Sequence, residues 1–220
     1  RIFSPGAGAF VAGIFSAGAR AAAWAAACSK NGAGAVFAGI GQLVVPAGAV
    51  LHLKDGSFVG VGIENNGQVI VGSSPGLAVV DGDYSQSGGS LLEMEIEGPT
   101  AGTEYDQLVV TGTASLDGTL DIPVNASGGS YTDPATRGDS DTFVLVDAGS
   151  RMGSFSVVNY DGSLLAAEFT SGDSFRDHVG VGLFRSVNYT ATSVELQNLN
   201  ALAGDTDGDM DVDLLDYNTL

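Results

Sequence analysis

Gln68-Val69-Ile70-Val71-Gly72 and Gln107-Leu108-Val109-Val110-Thr111-Gly112 decide the fold class. Each is a short apolar run, rich in β-branched residues and closed by glycine. Such runs are too short for helices and read as strands. The same texture holds from about Val44 onward. Turn formers separate the runs: Asn65-Asn66-Gly67, Ser73-Ser74-Pro75-Gly76, Asp81-Gly82-Asp83, Ser87-Gly88-Gly89, Thr111-Gly112-Thr113 and Asp117-Gly118. Gly, Asn and Asp tolerate the left-handed backbone of tight corners. Gly88-Gly89-Ser90-Leu91 also resembles Asp117-Gly118-Thr119-Leu120. Short strands with corners at a spacing of about 8–10 residues suit a sandwich, a barrel or a solenoid. Repetition of unlike length favours the solenoid, whose coils bury a continuous apolar stripe on one another. Val69, Leu77 or Val79, Leu91 and Leu108 are then expected in one shared core.

The second half repeats less. Thr142-Phe143-Val144-Leu145-Val146 reads as a buried strand. Val187, Tyr189 and Ala191, then Val194 and Leu196, alternate with polar residues, as a late strand with one wetter face does.

These stretches carry a family resemblance. Tyr84-Ser85-Gln86-Ser87-Gly88-Gly89-Ser90-Leu91, then Gly102-Thr103-Glu104-Tyr105-Asp106-Gln107-Leu108-Val109-Val110-Thr111-Gly112-Thr113-Ala114 and Leu116-Asp117-Gly118-Thr119-Leu120, resemble the closing coils of autotransporter-type β-solenoid passengers. Asp141-Thr142-Phe143, Gly153-Ser154-Phe155 and Tyr189-Thr190-Ala191-Thr192-Ser193-Val194 continue the pattern, over about residues 63–200. The resemblance implies a right-handed parallel β-helix on a large secreted or cell-surface bacterial protein, with an adhesive or scaffold role. It brings no catalytic residues.

Charge narrows the partners. Eight basic and 26 acidic residues leave a net charge of -18 on 220 residues. A nucleic-acid binder needs a basic face, so that role is excluded. Acidic polysaccharides and anionic membranes are repelled. Metal cations, neutral glycans and basic proteins remain. The charge is uneven: residues 1–54 hold Arg1, Arg20, Lys30 and Lys54 and no acidic residue. The single cysteine, Cys28, rules out an intrachain disulfide.

Residues 1–42 are dominated by Ala and Gly. Pro5–Cys28 has the length of a membrane span, but Arg20 falls near its middle. Ala25-Ala26-Ala27-Cys28 is similar to a lipoprotein cleavage box, and Arg20 again interrupts the apolar run. The segment reads as low-complexity sequence, an out-of-frame or badly spliced piece of a longer gene, with no membrane span expected. Arg1 in place of a starting methionine is taken as the mark of a fragment. Residues 1–42 are expected to stand apart from the core.

The sharpest chemical signal is Asp205-Thr206-Asp207-Gly208-Asp209-Met210-Asp211-Val212-Asp213-Leu214-Leu215-Asp216. Oxygens at loop positions 1, 3, 5, 7, 9 and 12 build a calcium site. Asp205, Asp207, Asp209, Asp211, Asp213 and Asp216 occupy those positions in order. Side-chain oxygens are expected from Asp205, Asp207, Asp209 and Asp216, a backbone carbonyl from Asp211, and a water-mediated contact from Asp213. Met210 stands where glycine normally makes the sharp turn, which costs on the order of 1 kcal/mol. The stretch resembles the first half of a type I dockerin repeat, with Gly204 leading in and Asp216-Tyr217-Asn218-Thr219-Leu220 opening the following helix. The resemblance implies calcium as cofactor and, through the complete parent protein, a cohesin-like or cell-surface partner.

Other constellations are weaker. Asp81 and Asp83 flank a glycine as a carboxylate pair or cation ligands would, but Asp-Gly-Asp is ordinary turn chemistry. His52 and His178 are the only histidines, and nothing resembles a nucleophile elbow. Gly60-Val61-Gly62 and Gly180-Val181-Gly182 lack the Lys-Ser or Lys-Thr of a phosphate loop.

The sequence thus divides into an Ala/Gly-rich segment (1–42), a β-solenoid with an irregular cap (43–200) and a truncated dockerin-like calcium repeat (201–220). The expected function is non-enzymatic and extracellular or cell-surface: adhesion or scaffolding with a calcium-binding attachment repeat. An extracellular polysaccharide lyase or hydrolase on a β-helix is one alternative. It needs Arg137, Arg151, Arg176 or Arg185 to converge with aspartates on one face. A carbohydrate-binding β-sandwich carried on a dockerin is another. It needs exposed aromatics, for which Tyr84, Tyr105, Tyr131 and Tyr160 are candidates.

Overall fold

The computed structural model describes residues 25–27, 36–72, 75–123, 142–165, 175–180 and 183–200. The described residues are mainly β, with no helix. The first strands are β1 (Ala25–Ala27), β2 (Val36–Val45), β3 (Val50–Leu53), β4 (Ser57–Asn65) and β5 (Gln68–Val71). Then come β6 (Leu77–Val80), β7 (Tyr84–Gln86), β8 (Leu91–Glu93), β9 (Gln107–Leu116) and β10 (Thr119–Ile122). The last are β11 (Thr142–Gly153), β12 (Val157–Tyr160), β13 (Ser163–Leu164), β14 (Phe175–Gly180), β15 (Leu183–Tyr189) and β16 (Ser193–Asn200).

Between β2 and β12 the chain alternates between two sheets. One runs β3-β5-β8-β10-β12, the other β2-β4-β6-β9-β11, with β7 beside β4 and β9. Every pair among these strands is parallel. Val50 is in register with Gln68, Gln68 with Leu91, Leu91 with Thr119, and Thr119 with Val157. Successive returns therefore lengthen from 18 to 23, 28 and 38 residues. Beyond β11 the order turns antiparallel, through β16, β15 and β14.

The core lies between the two sheets. Strand residues alternate across a sheet, so Leu51, Val69, Leu92, Leu120 and Val158 form one buried row. Val59, Val80, Val110 and Ala148 form a facing one. Burying each large aliphatic side chain contributes about 1.5–3 kcal/mol.

Two of the expected core positions are displaced by one residue. Val69 and Leu108 are buried, but Ala78 and Val80 point inward in place of Leu77 and Val79, and Leu92 in place of Leu91. Leu77-Ala78-Val79-Val80 is apolar throughout, so alternation leaves no trace in it and a one-residue slip exchanges the faces, whereas Leu92-Glu93-Met94-Glu95-Ile96 alternates and marks Leu92, Met94 and Ile96 as the inner face. Thr111-Gly112-Thr113 lies inside β9, not at a corner between strands. The late strand is two: Val187 and Tyr189 belong to β15, Val194 and Leu196 to β16. Strand β2 runs through the boundary drawn at residue 42, and both its halves pair with β4.

Tight returns rest on glycine. Gly118 has φ +68°, and a Cβ there would lie 2.5 Å from the carbonyl oxygens of Ser87 and Ser90. Only glycine takes that conformation with the neighbouring return packed so close.

Candidate functional site

The parallel register places one outward side chain per strand in a row along the β3-β5-β8-β10-β12 sheet. His52, Ile70, Glu93, Asp121 and Asn159 stand in that order. All five are half-buried. Neighbouring strands lie about 4.8 Å apart, so Glu93 and Asp121 bring two carboxylates onto adjacent strands. Each is tied to an amide on its far side. Gln68 Nε2 donates to Glu93 Oε2 at 3.0 Å, and the Asn159 side chain hydrogen-bonds Asp121. Burial pushes the Asp121 carboxyl above its ordinary value, and the Asn159 bond partly offsets this. His52 Nε2 donates to the Gly72 carbonyl.

The corners carry carboxylates of a different kind. Asp81 Oδ1 accepts from Thr111 Oγ1 at 3.0 Å, and Asp83 Oδ1 from the Thr113 amide at 2.8 Å. Each thus clasps the next return, which is the turn chemistry of Asp-Gly-Asp. Asp117 Oδ1 accepts from the Gly118 amide at 2.7 Å and from Ser156 Oγ at 2.6 Å. Those bonds, the Ser156 one foremost, lower its pKa. Asp106 is buried, and both its carboxylate oxygens accept main-chain amides.

The other expected residues are scattered. The calcium loop from Asp205 to Asp216 lies outside the described residues, as do Tyr131 and Arg137. Among the described residues, no group of three or more His, Cys, Asp or Glu is placed to hold a metal ion. His52 is on β3 and His178 on β14, in different sheets. Gly60, Val61 and Gly62 lie inside β4. Arg151 is on β11, 5.2 Å from the Tyr189 ring centroid. Arg185, on β15, is buried with its guanidinium 3.4 Å from the Tyr160 ring centroid. Arg176 is on β14. None of these three belongs to the row of Glu93 and Asp121. The proposed aromatic platform is corrected: Tyr84, Tyr105 and Tyr160 are all buried. Tyrosine in a short β-rich coil fills the core because its ring buries 150–250 Å².

Reading the residues one by one missed the outer row. Its signal is acidic residues alternating with apolar ones, in Leu92-Glu93-Met94-Glu95-Ile96 and Leu120-Asp121-Ile122. No described helix is long and apolar enough to cross a membrane. No protein-family description, curated protein or solved structure matches the chain.

Proposed function

We propose that residues 43–200 form a right-handed parallel β-helix with an antiparallel cap, acting as a non-enzymatic scaffold or adhesive arm of a secreted or cell-surface protein. Residues 201–220 supply a calcium-dependent attachment repeat. One observation carries the reading: from β2 to β12 the chain alternates between two sheets, and each strand pairs in parallel with those one return away. Right-handed crossovers are the rule for parallel connections. A stack of this kind makes a long, stiff surface from short repeats. The six in-register aspartates from Asp205 to Asp216 support calcium as the ion, since calcium takes hard oxygen ligands.

One feature favours a polysaccharide hydrolase instead. Glu93 and Asp121 are paired on adjacent strands, and glycosidases work with a pair of carboxyl groups. Against it, both carboxylates are engaged by amides, and Arg151, Arg176 and Arg185 lie elsewhere. Incubating the chain with insoluble neutral polysaccharides, with calcium or with chelator, separates the readings. The scaffold reading expects retention on the solid without release of reducing ends. Release of reducing ends that Glu93→Gln or Asp121→Asn abolishes would establish the hydrolase. Calorimetric titration with calcium tests the repeat. Weak binding is expected, about 10⁻⁴ to 10⁻³ M as in extracellular modules, and lost when Asp205, Asp207 and Asp216 become alanine. Uptake unchanged by those three substitutions would sink the assignment.

A further inference from the structure

The Asn66-Gly67 corner joins β4 to β5 and is gripped from three sides. The Gly67 amide donates to Asn65 Oδ1 at 3.0 Å. The Gly67 carbonyl accepts the Leu91 amide of the following return at 2.9 Å. The preceding return, between β2 and β3, lies on the remaining flank: a Cβ on Gly67 would collide with the carbonyl oxygens of both Pro46 and Ala49. The neighbouring peptides are tied to that return as well. The Asn66 amide donates to the Val45 carbonyl at 2.8 Å, and the Gln68 amide to the Ala49 carbonyl at 2.9 Å. Asn66 Nδ2 donates to Glu64 Oε1 at 2.8 Å. Asn65, which anchors the Gly67 amide, is itself buried and bonded to Tyr84 Oη and the Leu91 carbonyl.

These contacts restrain a reactive pair. In a free Asn-Gly sequence the glycine nitrogen attacks the carbonyl carbon of the asparagine side chain, because glycine rotates freely and has no Cβ to obstruct the approach. The glycine nitrogen gives its proton to water, the new N–C bond closes a five-membered imide, and the side-chain nitrogen leaves as ammonia. Water then opens the imide at one carbonyl or the other. The products are aspartate and isoaspartate, whose main chain runs through the side-chain carboxyl. In the folded corner the attacking nitrogen is held by Asn65 and the amide under attack by Glu64. Neither peptide turns without breaking bonds to Val45, Ala49 or Leu91.

We propose that Asn66-Gly67 is a latent self-modification site, silent while the β2–β3 return is packed on it and converted once that return opens. The product makes the opening permanent. A carboxylate at position 66 faces Glu64 where a donor stood, and like charges repel. Isoaspartate also adds a methylene to the main chain, at a corner where not even a Cβ fits. The corner thereby keeps a covalent record of each opening of the stack at β2 and β3.

The test incubates the full chain at mildly alkaline pH, folded and in urea, and follows its peptides by mass spectrometry for exchange of amide for acid and for isoaspartate. In urea Asn66 should convert alongside Asn31, the other asparagine followed by glycine. In the folded chain conversion at Asn66 should be slower by at least the factor that protects the Gly67 amide from hydrogen exchange, since both need that N–H released. Asn66 converting as fast in the folded chain as in urea would overturn the proposal, as would an Asn66 that stays intact in urea. The permanence has its own readout. Asn66→Asp, which brings the charge alone, should lower exchange protection at the amides of position 66 and Gln68, and the purified isoaspartate chain should lower it further. Full protection of both amides in the isoaspartate chain would show that the corner closes again and keeps no record.

Discussion

The returns between β3 and β12 and the β15–β16 hairpin are both β-structure, yet they specify register by different means. In the hairpin, Tyr189 pairs with Val194 across a four-residue connection, and alternating residues carry the pattern. In the returns, partners lie 18 to 38 residues apart and the connections differ in length. A local turn fixes hairpin register. The parallel returns need devices that act across the stack. The structure supplies three: rows of buried aliphatics, corners that only glycine fits, and a buried polar chain. In that chain Asn65 Nδ2 donates to Tyr84 Oη at 3.2 Å and to the Leu91 carbonyl at 3.0 Å. Tyr84 Oη donates to Gln86 Oε1 at 2.7 Å, and Gln86 Nε2 to the Thr119 carbonyl at 3.0 Å. Three successive returns are thereby threaded on one set of hydrogen bonds.

The largest effect tests the aliphatic row. Leu92 is fully buried and Leu91 half-buried on the opposite face. Leu92→Ala should cost about 3 kcal/mol, within the range for leucine truncations in cores. Leu91→Ala should cost about 1 kcal/mol or less, since it removes less buried surface. Urea unfolding of both variants decides. Equal losses would mean that β8 has no single register, and the contrast between the two regions would fail.

Next comes Gly118→Ala. A left-handed non-glycine residue costs about 1–2 kcal/mol, and a Cβ 2.5 Å from two carbonyl oxygens forces the backbone to move as overpacking does. A loss of about 2–3 kcal/mol is expected by the same unfolding assay. Gly89→Ala is the control, because a Cβ there meets nothing within 4 Å. A neutral Gly118→Ala would show that this corner does not hold β10 against the return before it.

Much of this was legible in the residues. Short β-branched runs between Asn, Gly and Asp corners named the strands and the mainly-β class. Register was legible where apolar and acidic residues alternate, as in Leu92-Glu93-Met94-Glu95-Ile96, and not where a run is apolar throughout or only its spelling is compared. Gly88-Gly89-Ser90-Leu91 and Asp117-Gly118-Thr119-Leu120 align by eye with Leu91 beside Leu120, whereas the sheet pairs Leu92 with Leu120. The two Gln-led runs match in spelling, yet β5 and β9 belong to different sheets. Spelling records strand propensity, while register follows from return length and from corner contacts between residues far apart in the chain. The candidate row suffered likewise. Glu93 and Asp121, 28 residues apart, become neighbours only once the returns are stacked.

The polar chain ranks third. Asn65→Ala removes donors to Tyr84 and Leu91 and the acceptor of the Gly67 amide at 3.0 Å. Buried groups left without partners cost about 1–3 kcal/mol, so a loss of about 2 kcal/mol is expected. Tyr84→Phe keeps the ring and breaks only the two hydroxyl bonds, for about 1 kcal/mol. Since the two residues share a bond, the double variant should lose less than the sum of the singles. Strict additivity in urea unfolding would show that they act separately.

The smallest effect belongs to the hairpin, and its value is in where it is felt. Thr190 Oγ1 accepts from the Thr192 amide at 3.2 Å and the Ser193 amide at 2.9 Å, so one hydroxyl shapes the β15–β16 turn. A hydroxyl bonding its own chain a few residues on is a local device, and here it lies on an exposed residue. Thr190 and Thr192 are exposed, so water replaces the Thr192 bond, and the amide of the buried Ser193 keeps the cost from vanishing. Thr190→Ala should therefore cost about 0.5–1 kcal/mol. The turn also touches β11, through the Ala148 amide on the Thr192 carbonyl at 2.8 Å and the Arg151 amide on the Ala191 carbonyl at 2.7 Å. Faster amide exchange is expected in β15, β16 and the adjoining half of β11, and none in β3, β5, β8 or β10. Local elements open independently when few contacts link them to the rest. Exchange that quickens equally in β5 and β8 would show that the parallel returns and the hairpin open as one cooperative unit.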